Sequence, residues 1–148
     1  MAVDPKDCPT CQEWEEFDLP GLLAEARNTS KNPRLADRNI AAAWAYHEDL
    51  VLTGHRFGHV KTWCEYLISK RVMVLREAGE RSAEVAAGQA LQEPQIFEAK
   101  MQYRVAEQRI TSDREALDII QARLDDLRTQ AADRRAGDEF HAKDRSRT

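Results

Sequence analysis

Long apolar runs are missing from this chain of 148 residues. Nothing in it reaches the roughly 18 residues that a bilayer-spanning helix needs. Its beginning, MAVDPKDCPTC, is polar and lacks the apolar core of a signal peptide. Positive charge is not in excess either. Lys and Arg number 22 against 26 Asp and Glu, a formal charge of −4, so no global basic field draws in nucleic acid or an anionic membrane. Three cysteines leave one over from any disulfide, which points to a reducing, cytoplasmic setting. Glycine-rich phosphate loops and nucleophile motifs are also lacking, so the sequence gives no ground for an enzyme.

Charged residues that favour helices are plentiful, at 32% of the chain, while aromatics make up 7%. Proline and glycine fall at a few telling places. Asn32 is a good N-cap with Pro33 at the first helical position. Gly79 is a natural stop, Glu93 and Pro94 a restart, and Gly137 a second stop. From Pro94 to Ala136 one seam runs without interruption: Ile96, Ala99, Tyr103, Ala106, Ile110, Asp113, Leu117, Ile120, Leu124, Leu127, Ala131. The gaps alternate three and four, a coiled-coil beat in which Asp113 is the lone polar member. At 1.5 Å per residue this helix is roughly 60 Å long.

The stretch from Pro33 to Ala78 keeps the same beat through Ala43, Tyr46, Leu50, Thr53, Phe57, Val60, Cys64, Leu67, Arg71, Val74 and Ala78. Its phase passes unbroken through TGHRFGH, which predicts helix there despite Gly54 and Gly58. The expected fold is all-α: an antiparallel hairpin of helices at about 33–78 and 94–136 within a domain spanning 33–137. Before it lies an N-terminal arm, 1–32, with CPTC and a short helix. After it comes a flexible basic tail, 138–148. The first helix also carries a second apolar row, with Ile40, Trp44, Val51, Ile68, Val72 and Leu75, and both glycines fall in it. One partner helix leaves so wide an arc uncovered. Either the arm, through Trp14, Phe17, Leu19, Leu22 and Leu23, or a second subunit covers it. Trp44, Val51, Gly54, Gly58 and Ile68 are the expected contact residues for an arm or an oligomer. The alternative is a monomeric bundle in which the arm does all the covering.

Two groups of residues bear on chemistry. Cys8 and Cys11 have the C-x2-C spacing of a zinc knuckle, and a structural zinc site takes four ligands. His55 and His59, one helical turn apart, complete a Cys2His2 set if the arm folds back. The bland reading is a reduced cysteine pair and two solvated histidines, with Cys64 a core residue. The pairs Glu15–Glu16 and Glu48–Asp49 read as solvated charges. Basic residues gather at Lys70, Arg71, Arg76 and Arg81, with His59, Trp63 and Tyr66 nearby to stack on bases. A single copy binds weakly, whereas an oligomer repeats the patch and gains avidity.

The segments KTWCEYLISKRVMVLREAG and EAKMQYRVAEQRITSDREALDIIQARLDDLRTQAADRRAGDEF, within roughly residues 55 to 140, resemble in pattern the UvsY-type recombination mediators of tailed phages. The CPTC arm is outside that pattern. The resemblance implies a non-enzymatic phage accessory protein of DNA recombination or replication, oligomeric, in the cytoplasm of a bacterial host. Such a protein binds single-stranded DNA and helps a recombinase load onto DNA covered by single-strand binding protein. By the same resemblance, Lys70 and Arg71, with Lys61 and Arg76, contact the DNA. The competing reading is a structural or adaptor coiled-coil protein that binds only protein partners.

Overall fold

The computed structural model describes residues 2–28 and 34–147, and all its elements are helical. A 3-10 turn, Pro5–Asp7, leads into α1, Pro9–Glu16. Then come α2, Leu19–Asn28; α3, Leu35–Glu77; α4, Ala83–Ala90; and α5, Pro94–Arg147. No helix among the described residues is long and apolar enough to cross a membrane. The cap expected at Asn32 and Pro33 lies outside the described residues.

Local chemistry accounts for the boundaries. Asp4 caps the opening turn by accepting from the Lys6 amide, and Pro9 occupies the first position of α1. Gly79, at φ +114°, ends α3 in a Schellman turn. There the Glu80 amide donates to the Leu75 carbonyl and the Gly79 amide to the Arg76 carbonyl, both at 3.1 Å. Only glycine takes that conformation without strain. Ser82 caps α4 by accepting from the Val85 amide, and Pro94 opens α5.

α3 runs without a break through Gly54 and Gly58, as the seam predicts. Thr53, Val60 and Cys64 are buried there and Phe57 is half-buried, so packing on the seam outweighs about 1 kcal/mol per glycine. α5 goes further than the sequence suggests: it passes Gly137 and continues to Arg147 instead of ending at Ala136. One glycine without a following proline or a Schellman partner is a modest cost. Residues 131–147 are all exposed, so that stretch rests mainly on its own helical bonds, aided by contacts such as Arg135 Nε donating to the Ala131 carbonyl. The seam of α5 is buried or half-buried from Ile96 to Leu127 and opens to solvent at Ala131.

The chain forms two compact units. One combines Met1–Asp18 with Glu48–Arg114. In it α5 packs on α3: Phe57 stacks on Tyr103 with ring centroids 5.0 Å apart, and Arg71 pairs with Glu93 at 2.6 Å. The other combines Leu19–His47 with Glu115–Thr148. Its buried residues include Ala26, Ala45 and Ile120, and an open cavity of about 680 Å³ is lined by Leu23, Tyr46, Ile120 and Leu127 among others. Trp44, in this second unit, is 71% exposed.

A Cβ built on Gly54 or Gly58 would meet no atom within 4 Å. Among the described residues nothing makes the close backbone approach expected over these glycines; a groove of about 500 Å³ lies there, lined by Ala2, Val3, His55, His59 and Thr62. Gly54→Ala and Gly58→Ala are each expected to stabilise the protein by about 1 kcal/mol, read as a raised melting temperature. A lowered one would mean that another backbone closes on this face.

Candidate metal centre and the clamp beside it

The first unit brings together four residues from two distant parts of the sequence. Cys8, Cys11, His55 and His59 each offer one ligand atom, and these atoms all lie within 4.8 Å of one another. Cys8 is the N-cap of α1 and Cys11 sits in its first turn, so the C-x2-C spacing turns both sulfurs to one side of the helix start. His55 and His59 share a face of α3 because they are four residues apart. Their rings lie 6.1 Å apart.

The donor set can be tested against the geometry of zinc. Bond lengths of about 2.0–2.3 Å in a tetrahedron put neighbouring ligand atoms about 3.3 to 3.8 Å apart. The Cys8 Sγ to His55 Nε2 distance, 3.5 Å, already falls in that range. His59 Nε2 donates to the Val3 carbonyl at 2.6 Å, which leaves the Nδ1 lone pair free. A backbone carbonyl that orients a histidine ring in this way is the usual outer support of a metal ligand. Two thiolates and two neutral imidazoles suit zinc and close a structural site without an open position. All three cysteines are free thiols.

The two thiols differ. A hydrogen bond with His55, helped by the Cys11 amide, lowers the Cys8 thiol to about 6. Burial first, and then the neighbouring Cys8, push Cys11 up to about 11. Cys8 is 9% exposed and Cys11 1%. Cys64 is raised by burial as well, and it packs in the core as the seam predicts.

Beside this cluster lies a polar clamp that sequence reasoning missed. Trp14 donates its indole N–H to Thr53 Oγ1 at 2.8 Å. The Arg56 guanidinium lies 4.4 Å from the centroid of the Trp14 ring and that of Arg109 4.8 Å. Arg56 also donates to the Cys11 carbonyl at 3.4 Å and pairs with Glu15 at 3.3 Å. Arg109 grips Asp49 with both arms of its fork, Nε donating to Oδ2 at 2.7 Å and a terminal nitrogen to Oδ1. Asp49 is 0% exposed and Asp113 2%. Burial and the adjoining Asp49 push Asp113 up to about 7, against the pull of Arg109. One signal was available: Asp49, Thr53 and Arg56 form a polar row on the buried side of α3, and Asp113 is the polar member of the opposite seam.

Helix α1 of the arm thus docks on the Asp49–Thr53–Arg56 flank of α3, away from the predicted apolar row. Val51 in that row is 72% exposed, and Ile68 is half-buried. Of the residues predicted to meet DNA, Lys61, Lys70 and Arg76 are exposed, whereas Arg71 is engaged with Glu93. Trp63 and Tyr66 stack on each other with centroids 5.5 Å apart. Comparison with protein families, with characterised proteins and with solved structures finds no match for this chain.

Thr53→Val keeps the volume and removes the acceptor of the Trp14 indole. It is expected to cost about 1 to 2 kcal/mol in urea unfolding. An unchanged midpoint would mean that the indole bond does not hold the arm.

Proposed function

We propose that the protein is a zinc-stapled helical adaptor, without catalytic machinery, that works by binding other protein chains. The observation that carries this reading is the four-donor cluster of Cys8, Cys11, His55 and His59, within 4.8 Å. Zinc would be held by the two sulfurs and two ring nitrogens. The chemistry it supplies is structural: it ties the arm to α3. A unit this small has limited core, and a metal cross-link is a common remedy.

Support for a protein-binding role comes from the surface. Phe97, Met101 and Val105 are exposed and recur every four residues along α5, on the side away from its buried seam. An exposed row of this kind suits a helix of another chain, including a second copy of this one. The contacts of Asp49 with Arg109, Phe57 with Tyr103 and Arg71 with Glu93 step in opposite senses along α3 and α5. That order supports the antiparallel hairpin.

Single-stranded DNA binding by an oligomeric, phage-type accessory protein is the second reading. Lys61, Lys70 and Arg76 stay exposed beside the stacked Trp63–Tyr66 pair and favour it. The formal charge of −4 and the engagement of Arg71 by Glu93 weigh against it.

Metal analysis of protein purified without chelator tests the zinc reading. About one zinc per chain is expected. Cys11→Ser should lower that content several-fold, because it removes the most deeply buried ligand. A parent protein free of metal, and unable to take up added zinc, ends this reading.

A further inference from the structure

We propose that Asp113 is a proton-operated latch on the N-terminal arm: protonated, it leaves Arg109 to brace Asp49 and Trp14, and ionised, it draws Arg109 away and loosens α1. The latch is built from the buried clamp and does not require the metal.

The geometry is specific. Asp113 on α5 is almost wholly buried, and its Oδ2 has no hydrogen-bond partner. Asp49, on α3, is its neighbouring carboxyl. Arg109 is the cation at this place, and both sides of its fork are already committed to Asp49. Two neighbouring carboxylates out of water that share one guanidinium, itself committed to Asp49, are not both stable as anions, so one retains a proton. Asp49, gripped by the fork, keeps its charge. Asp113, buried beside Asp49 with its Oδ2 unmet, keeps the proton.

The remaining charges around the clamp do not compete for that proton. α3 contributes Asp49 and Arg56, α5 contributes Arg109, and α1 contributes Glu15, which is paired with Arg56. Both arginines stay charged at any relevant pH. Loss of the Asp113 proton adds a second buried anion, and among the described residues Arg109 is the cation that acts on it. Arg109 also lies against Trp14, so any shift toward Asp113 removes a contact that holds α1.

The sign follows from linkage. Asp113 holds its proton up to about 7 when folded, whereas the ordinary value is 3.8. Between these values the folded chain binds a proton that the unfolded chain has released. Stability from this group is therefore full below 3.8, falls as pH rises toward about 7, and is flat above.

Trp14 reports the latch directly. With Trp44→Phe and Trp63→Phe it is the sole indole, and its emission can be followed from about pH 6 to about pH 8.5, with bound metal measured at each point. A red shift with a midpoint near 7 is expected, at constant metal content and constant helicity. Asp113→Asn, which mimics the protonated acid, should hold the emission at its low-pH position throughout. Asp49→Asn removes the competing anion and frees the Arg109 fork, and should move the midpoint to lower pH. It serves equally well if the Asp113→Asn variant fails to fold. A flat profile in the parent overturns the proposal. So does an unchanged midpoint in either variant, or a shift that tracks metal loss.

Discussion

The ion pair between Asp49 and Arg109 is the constraint on which the first unit turns. A carboxylate with no exposure at all is tolerated only when its lone pairs are met, and here a guanidinium fork meets them from the neighbouring helix. That demand fixes the register between α3 and α5 more sharply than the apolar seam does. Leu, Ile and Ala contacts permit small slips, while a bidentate fork does not. Once Arg109 is so placed, its face is available to the Trp14 ring. Arg56, two turns on from Asp49, supplies the second guanidinium. The arm therefore settles where the charges are rather than where the side chains are most apolar.

The Cys2His2 cluster follows from that docking. Trp14 bonded to Thr53, and the Cys11 carbonyl bonded to Arg56, set α1 beside α3 with its N-terminus near His55 and His59. The Val3 carbonyl then fixes the ring of His59. The clamp and the Cys2His2 cluster are two ends of one attachment. On the proposed reading the metal end would answer to ligand exchange and the clamp end to protons. Both would govern whether the same short helix stays down.

Much of the helical layout was legible in the sequence. The alternation of threes and fours carried α3 through Gly54 and Gly58, because Thr53, Val60 and Cys64 remain on the buried side. Gly79 ended that helix as its left-handed preference dictates. The end of α5 was less legible, since a lone Gly137 does not stop a helix with no capping partner. For the candidate site, the spacings C-x2-C and H-x3-H were visible, but their meeting was legible only as a condition, that the arm fold back: it depends on contacts across some 40 residues, such as Trp14 with Thr53. Thr53 looked like an ordinary seam residue and Asp49 like a solvated charge. Only the folded arrangement gives them partners, because a polar side chain in a seam acquires meaning from what faces it. Val51, in the predicted apolar row, stays exposed, while Ala2 and Val3 border the groove over the two glycines.

Hydrogen exchange along α1, Pro9–Glu16, in zinc-loaded protein and after chelation is the most direct test of this account. The amides of α1 should be protected with metal bound. Chelation should lower that protection several-fold, while the central turns of α3 keep theirs. Rapid exchange of α1 in the loaded protein, or protection that chelation leaves untouched, would contradict the claim that the metal centre fastens the arm to the clamp.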